Sequence, residues 1–286
     1  MIPANFDYES PRTLNEALAL LASKQEAKIL AGGHSLLQAM KLRLAAPATL
    51  VDLGRIPELS YLRDFGGQVA IGAMTTHAMV ADSELLFRVS PLLAEAAAAI
   101  GDVQVRNRGT LGGSLAQAHP AADYPAAILA LDAEIVTQSQ TGEHVIPARE
   151  FFTGMFSTAL SAQEIITEVR VPRTEGCGTC YKKFAHPASG YAVVGVAVVL
   201  KRRGDKIESA AIGITGVGPN AYRATAVEEA LRGKPLTAMA AAAEPAAGGI
   251  EALGDTFASA DYRRHLAKVF TRRALETAAA RARSKS

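Results

Sequence analysis

The chain has 286 residues, of which 49% are hydrophobic and 20% are charged, a composition that is ordinary for a soluble globular protein. Its 30 lysines and arginines nearly balance its 28 acidic residues, so the net charge of +2 gives no electrostatic case for binding nucleic acid. No signal peptide is visible, and the longest apolar run, 191–200, is too short to cross a bilayer. We therefore expect a cytoplasmic protein without a membrane span.

The first fifty residues alternate between predicted helices and strands. Thr13 and Glu16 have the spacing of a capping box at the start of an amphipathic helix. The segment "AKILAGG" then predicts a short buried strand, "LLQAMKLRL" a brief helix and "ATLVDL" another strand. Together they form a βαβ-like unit in which Gly32-Gly33 follows the carboxyl end of a strand, where open α/β sheets bind ligands.

From about residue 56 the pattern changes to hairpins and short helices. Alternating strands around Gly66-Gly67 predict a β-hairpin, and "THAMVADSELL" predicts a helix after it. A further helix begins at Pro91, and Gly112-Gly113 forms a second glycine loop. A helix over 123–130 and the strands "AEIVTQS" and "EIITEVRVP" complete this part of the chain.

A domain boundary is expected in the loop "PRTEGCGTC" at 172–180. Beyond it, "YAVVGVAVVLKRRGDKIESAAIGITGVG" predicts two long strands around a turn at Gly204-Asp205. Alanine-rich amphipathic segments at 225–231, 237–247 and 262–280 predict three helices. This pattern indicates an antiparallel sheet covered by helices, an α+β arrangement.

The only two cysteines, Cys177 and Cys180, are spaced C-x-x-C. A zinc or iron–sulfur site needs about four ligands, and the chain has no second cysteine pair. A redox C-x-x-C motif needs a thioredoxin-like βαβ context, which this glycine-rich loop does not provide. We interpret the pair as structural or incidental and predict that the chain binds no metal.

The two glycine loops carry the chemistry that is most informative about function. Glycine lets backbone N–H groups approach an anion closely, and a following helix N-terminus adds a partial positive charge. Ser35 follows the first pair, and Thr110 and Ser114 flank the second, so hydroxyl groups are close to both. Two such loops could bind the two ends of a pyrophosphate, or both could be simple tight turns. His34 and His119 lie on these loops, and their role stays open.

No other motif predicts catalysis. The chain has no G-x-G-x-x-G fingerprint, P-loop, G-x-S-x-G elbow or H-E-x-x-H pair, so we assign no catalytic residue. Two functions stay open on these residues alone: a free-standing nucleotide-dependent oxidoreductase and a non-catalytic assembly scaffold. The scaffold would use the basic residues of the C-terminal helix, namely Arg263, Arg264, Lys268, Arg272 and Arg273.

The segments "AGGHSLLQAMKLRLAAPATLVDL" and "QVRNRGTLGGSLAQAHPAADYPAAILALDAE" resemble the signature segments of the FAD-binding medium subunit of molybdenum hydroxylases. This is the flavoprotein of the carbon monoxide dehydrogenase and xanthine dehydrogenase superfamily. The opening "MIPANFDYESPRTLNEALALLA" and the segments "VAIGAMTTHAMV" and "YAVVGVAVVL" are also similar, so the resemblance covers nearly the whole chain.

The resemblance implies an α+β fold of two domains. A PCMH-type FAD-binding domain is expected over residues 1–175, with lobes at about 1–55 and 56–175. A domain of the CO dehydrogenase flavoprotein C-terminal type, an antiparallel sheet with helices, is expected over 176–286. The FAD is expected to lie between the two domains.

The resemblance also implies the residues that contact the cofactor. The two loops are expected on its pyrophosphate, Asp123 as a cofactor contact, Lys183 near the flavin, and Tyr191 against the flavin ring. The chain departs from the family at Ser114, His119 and Gly190, where the family often has Asn, Asp and Asp. The expected cofactor-binding residues are Ala31, Gly32, Gly33, His34, Ser35, Leu36, Thr110, Leu111, Gly112, Gly113, Ser114, Asp123, Ile166, Lys183 and Tyr191.

The implied function is electron transfer within a heterotrimer. A large molybdopterin-binding subunit hydroxylates the substrate with oxygen from water, and a small subunit with two [2Fe–2S] clusters passes the electrons to FAD on this chain. FAD then reduces an external acceptor, and the complex is expected to be a dimer of heterotrimers. Molybdopterin and the clusters are expected on the partners only, so the isolated chain should hydroxylate nothing. Carbon monoxide, an aldehyde, a purine or another N-heterocycle all remain open as substrates.

Overall fold

A computed structural model of the chain describes residues 2–283, so residues 284–286 of the predicted C-terminal domain lie outside the described part. The N-terminal lobe is a three-stranded parallel sheet in the order β1-β3-β2. Two helices connect its strands on the way along the chain. These elements are β1 (Asp7–Glu9), α1 (Leu14–Ser23), β2 (Ala27–Leu30), α2 (Leu36–Lys41) and β3 (Thr49–Asp52).

The start of α1 follows the predicted capping box only in part. The Thr13 hydroxyl accepts the Glu16 N–H at 3.2 Å, as expected for an N-cap. The Glu16 carboxylate accepts the N–H of Arg12 at 2.8 Å, one residue earlier than the box requires. The buried residues of the helix, Ala17, Leu18 and Leu21, form the predicted apolar face and pack against β3.

The second lobe is a five-stranded antiparallel sheet in the order β4-β5-β10-β6-β7, with helices covering it. The predicted hairpin at Gly66-Gly67 is present, and both glycines have a positive φ. Its strands are β4 (Leu62–Phe65), β5 (Gln68–Gly72), β6 (Glu134–Ser139), β7 (Gly142–Pro147) and β10 (Ile165–Pro172), and a small ribbon is formed by β8 (Phe152–Gly154) and β9 (Ser157–Thr158).

The helices of this lobe differ from the prediction at two places. The segment "THAMVADSELL" forms two helices instead of one, because the Ser83 hydroxyl caps a new helix after Asp82. Gly112 and Gly113, which were predicted as a loop, lie in the first turn of a helix capped by Thr110. The helices are α3 (His77–Ala81), α4 (Glu84–Val89), α5 (Pro91–Ala98), α6 (Val103–Arg108), α7 (Leu111–Gln117), α8 (Asp123–Ala130) and α9 (Ala148–Phe151).

The C-terminal domain is a four-stranded antiparallel sheet, β11-β12-β13-β14, against which a long helix packs. Its first strand begins at Gly178, inside the segment 172–180 that was predicted as a loop. The predicted helix over 237–247 is reduced to a single turn, since Pro245 cannot continue a helix. The elements are β11 (Gly178–Ala185), β12 (Ala192–Arg203), β13 (Lys206–Thr215), β14 (Tyr222–Arg223), α10 (Thr225–Leu231), α11 (Met239–Ala242) and α12 (Ala260–Arg281).

Helix α8 joins the two domains. All eight of its residues are buried, as expected for a helix that is apolar on every side. It belongs to the first of the two expected domains in the sequence but packs against β12 and β13 of the C-terminal sheet. Gly213 makes this approach possible, because a Cβ there would lie 2.0 Å from the carbonyl oxygen of Ala126. The domain junction is therefore a packed interior.

The basic residues of α12 do not form one solvated face. The guanidinium of Arg263 is buried and donates to the carbonyl oxygens of Val193 and Gly216, each at 2.7 Å. It is also ion-paired with Asp255. The neighbouring Arg264 is only partly buried and is ion-paired with the exposed Asp261. Arg263 therefore fastens α12 to the sheet, and it is not available as part of a docking surface.

This difference predicts the effect of two adjacent substitutions. Arg263→Leu leaves two buried carbonyl groups and Asp255 without their donor, and we expect it to lower the free energy of unfolding by about 3 kcal/mol. Arg264→Leu removes only an exposed ion pair and should cost less than about 1 kcal/mol. Thermal denaturation of both variants measures the difference, and equal losses would show that Arg263 does not anchor the helix.

Candidate cofactor site

A cavity of about 720 Å³ lies where the two lobes and the C-terminal domain meet. Its size is within the range of small-molecule and cofactor pockets. Both glycine segments line it, together with Asp123, Ile166 and Tyr191. Of the residues predicted for the cofactor site, only Leu111 and Lys183 are not part of the lining. The structure therefore brings together two segments that are about eighty residues apart.

The first glycine segment presents unpaired backbone donors. Among residues 2–283, no hydrogen-bond acceptor is paired with the amides of Gly32, Gly33, His34 or Ser35. Gly33 has φ +79°, a conformation that favours glycine and turns the chain from β2 into α2. Consecutive free N–H groups ahead of a helix form a concave site for an anion.

The second glycine segment differs from this expectation. Its amides are already used, since Gly112 donates to the carbonyl oxygen of Ala73 at 2.8 Å and Gly113 to the Thr110 hydroxyl oxygen at 3.2 Å. What it adds to the cavity are the hydroxyl groups of Thr110 and Ser114. The first segment therefore offers amide donors to a ligand, and the second offers hydroxyl donors.

The missing side chains allow the two segments to touch. A Cβ on Gly32 would lie 2.2 Å from the carbonyl oxygen of Arg108, which no backbone shift of a few tenths of an ångström could relieve. A Cβ on Gly113 would lie 3.3 Å from that of Ala31. Glycine is thus required for the contact of chain with chain as well as for any approach to a ligand.

His77 lines the cavity but was not predicted as a site residue. Its backbone N–H donates to the carbonyl oxygen of Gly109 at 2.9 Å, and its ring packs on Gly109, where a Cβ would lie 2.4 Å from Nε2. The side chain is buried, and its Nδ1 has no hydrogen-bond partner in the described structure. Burial, with smaller effects from His34 and Arg106, lowers the pKa of His77 to about 4. The imidazole is therefore neutral at pH 7.

A buried ion pair lies behind the cavity. Lys183 Nζ is 2.9 Å from Asp123 Oδ2 and donates also to the carbonyl oxygen of Ala99 at 2.9 Å, while the Tyr181 hydroxyl donates to Asp123 Oδ1 at 2.6 Å. Burial raises the pKa of Asp123, and the Lys183 ammonium and the Tyr181 hydroxyl oppose that rise. Asp123 is the first residue of α8 and not its N-cap, which is Ala122. Lys183 thus holds Asp123 and does not itself line the cavity.

The remaining predicted residues separate into two groups. Tyr191 lines the cavity with its ring stacked on His119, and burial raises the pKa of its hydroxyl, with the Ser35 hydroxyl opposing. Ile166 and Leu36 add apolar surface. His34 lies on the first glycine segment, where it is exposed and lines the cavity. Segment 158–162, which also lines the cavity, carried no signal in the sequence.

Among residues 2–283, no three His, Cys, Asp or Glu side chains are grouped as they would be around a metal ion. The same residues contain no helix with the length and apolar character needed to cross a bilayer.

Comparison with known proteins identifies the family. A family model described as the FAD-binding domain in molybdopterin dehydrogenase matches residues 4–174. A second model, described as the CO dehydrogenase flavoprotein C-terminal domain, matches residues 179–278. The chain belongs to the FAD-binding medium subunits of molybdenum hydroxylases. This medium subunit is part of an oxidoreductase, and FAD is its cofactor.

Similar proteins match over their whole length. The carbon monoxide dehydrogenase medium chain of Hydrogenophaga pseudoflava is 42% identical and aligns over 98% of this medium subunit and 99% of the relative. The nicotine 6-hydroxylase medium subunit of Paenarthrobacter nicotinovorans is 38% identical and aligns over 96% of this medium subunit and 97% of the relative. A solved carbon monoxide dehydrogenase from Hydrogenophaga pseudoflava, which lacks the Mo-pyranopterin moiety, matches with a TM-score of 0.96 and 43% identity over 99% of this chain and 100% of that chain. The predicted family and α+β two-domain fold class are confirmed.

The cavity of the medium subunit fits FAD. Four free amides and two hydroxyl groups supply donors for a pyrophosphate, and the apolar and aromatic surface suits a flavin ring. The lining contains one lysine, Lys28, and no arginine. A bound pyrophosphate would therefore be stabilised mainly by backbone and hydroxyl dipoles.

The depressed pKa of His77 predicts how the stability of the medium subunit depends on pH. Since the folded-state pKa of about 4 is below the unfolded value of about 6.5, the unfolded chain takes up a proton first. The stabilisation from neutral His77 is complete above pH 6.5 and is lost as the pH falls toward 4, by about 3 kcal/mol in total.

Denaturation of the wild type and of His77→Gln at several pH values measures this contribution. Gln does not titrate, so the difference in unfolding free energy between the two proteins should shrink between pH 6.5 and pH 4. A difference that stays constant over this range would contradict the assignment of a buried neutral imidazole.

Proposed function

We propose that the chain holds FAD in the cavity and serves as the electron-transfer subunit of a heterotrimeric molybdenum hydroxylase. The observation that carries the proposal is the row of free amides at 32–35, placed beside the Thr110 and Ser114 hydroxyls in one cavity. These donors suit a diphosphate group with two negative charges, and no metal ion is needed to bind it. A nicotinamide dinucleotide carries the same pyrophosphate, and it is the FAD-binding family model over residues 4–174 that favours FAD over that alternative.

Different residues of the chain would contact different parts of the cofactor. Residues 31–36 would donate to the pyrophosphate, and residues 110–114 would approach it from the other side with hydroxyl groups. Asp123, Ile166 and Tyr191 also line the cavity and would contact the rest of the cofactor. Lys183 would act through Asp123, whose carboxylate it holds in place.

FAD supplies the ability to accept and release two electrons, so the chain needs no catalytic side chain of its own. The chain would orient the flavin, limit the access of water to it and present it to partners. We propose a small [2Fe–2S] subunit as the electron donor, a large molybdopterin-binding subunit as the site of hydroxylation, and an external acceptor. The support is that the relatives are named medium chains or medium subunits.

We further propose that two heterotrimers associate and that the complex is cytoplasmic. Large apolar side chains such as Leu44, Val103 and Phe87 are exposed on the described surface, as they would be if partner subunits covered them. Cys177 and Cys180 are thiols and not a disulfide, and burial raises the pKa of the Cys180 thiol. The thiol state of both cysteines agrees with a reducing compartment.

The substrate belongs to the large subunit, so its class follows from the partner and not from this chain. Relatives are named for the oxidation of carbon monoxide, nicotine and glyceraldehyde. We therefore propose only the class of a small molecule oxidised at molybdenum, with carbon monoxide, an aldehyde or an N-heterocycle as the candidates to assay.

The decisive experiment is to purify the chain with its two partner subunits and to measure flavin, molybdenum and iron. We expect one FAD per copy of this chain, and bleaching of the flavin absorbance when a substrate of the large subunit is added. The isolated chain should not oxidise the substrate. A complex without flavin would contradict the proposal, and turnover of substrate by the isolated chain would favour the free-standing oxidoreductase.

Gly33→Ala tests the first glycine segment. The substitution strains a residue at φ +79° and should displace the adjacent amides, so we expect the Kd of the complex for FAD to rise about 10- to 100-fold, the loss of one charge-assisted hydrogen bond. Gly233→Ala is the matched control, since Gly233 has φ +73° and open space around it far along the chain. Both should cost about 1–2 kcal/mol of stability, and only the first should affect FAD.

A further inference from the structure

Three aromatic rings from different segments meet at the cavity. The rings of His119 and Tyr191 are stacked, with centroids 4.2 Å apart and an angle of 11° between their planes. The Phe156 ring meets His119 edge-on, at 5.1 Å and 84°. His119 follows α7, Tyr191 precedes β12, and Phe156 lies in the turn between β8 and β9. The stack therefore joins the FAD-binding domain to the C-terminal domain.

His119 is held in place by hydrogen bonds of its own segment, residues 119–121. Its Nδ1 accepts the N–H of Ala121 at 3.0 Å, which leaves the proton of the neutral ring on Nε2. The next residue, Pro120, is fixed to the C-terminal sheet, because its carbonyl oxygen accepts from Thr215 Oγ1 and from the N–H of Gly216, each at 2.9 Å. The imidazole is thus a fixed surface and not a mobile side chain.

Tyr191 depends on this surface for its orientation. Its backbone carbonyl oxygen accepts the N–H of His186 at 2.8 Å, but the residue is 39% exposed and belongs to none of the three hydrophobic clusters of the described structure. One face of the ring is covered by His119, so the opposite face and the edges are left for a ligand. Its hydroxyl lies near that of Ser35 on the first glycine segment.

We propose that His119 is a positioning residue for the cofactor: its imidazole fixes the ring of Tyr191, so that the free face of Tyr191 covers the flavin and keeps water from it. This inference rests on the proposed binding of FAD in the cavity. An aspartate, which the family resemblance leads one to expect at position 119, could accept the same hydrogen bond from Ala121 but could not stack. Stacking with Tyr191 therefore requires an aromatic ring at position 119.

Two substitutions separate the ring from the hydrogen bond. His119→Phe keeps a flat ring and loses the acceptor, whereas His119→Asn keeps an acceptor and loses the ring. Each is measured in the assembled complex by the Kd for FAD and by the vibrational structure of the flavin absorption band, which is sharper when water is excluded. His265→Asn is the control, because His265 is an exposed histidine on α12.

We expect His119→Asn to raise the Kd for FAD about 3- to 10-fold, the range measured for aromatic pairs, and to blur the flavin band. His119→Phe should stay close to the wild type in both measurements, and so should His265→Asn. Tyr191→Ala should reproduce the effect of His119→Asn, and the double variant should be no worse than Tyr191→Ala, since both act through one contact.

The opposite pattern overturns the inference. If His119→Asn behaves as the wild type and His119→Phe does not, His119 serves only to cap the turn. If His119→Asn does not assemble, His119→Phe decides alone, and a blurred band in that variant contradicts the proposal. A wild-type complex without FAD would defeat the proposed function itself, whereas FAD with an unchanged band in every variant would defeat only the role of His119.

Discussion

The contact between the backbones at Gly32 and Arg108 is the constraint on which the rest of the site depends. A single added methyl group would lie 2.2 Å from a carbonyl oxygen, so this approach exists only with glycine at position 32. It brings the end of a parallel sheet in one lobe against the C-terminal end of α6 in the other, directly before the Thr110 cap of α7. Because of that approach, two chemically different sets of donors face one cavity.

The electrostatics of the cavity follow from this arrangement. Its lining holds one lysine and no arginine, and its buried histidine is neutral at pH 7. Oriented amide and hydroxyl dipoles need little reorganisation when an anion binds, and they leave the site without a large positive field. Lys183, a buried cation behind the cavity, is already paired with Asp123. The cavity therefore presents dipoles to a ligand, while the buried charges behind it are neutralised as an ion pair.

Much of the fold was readable from the sequence, because periodicity and glycine or proline signals mark β2, β3, the hairpin at Gly66-Gly67, α8 and α12. The errors have local causes. Helix α7 was hidden by its two glycines, which weaken a helix but are tolerated after the Thr110 cap. The start of β11 was hidden by a loop-like composition. His77 could not be found by pattern, since its role depends on a ring that packs against Gly109, 32 residues along the chain.

The cofactor site and the domain junction are built from the same residues, and this has a consequence for assembly. The segment 119–122 lines the cavity and also bonds to β12 and β13, and α8 continues from it into the interior between the domains. A ligand that binds only the folded arrangement stabilises it by mass action. FAD bound in the cavity would thus hold the two domains together, and a change that lowers the population of their packed arrangement would weaken FAD binding in proportion to the population lost.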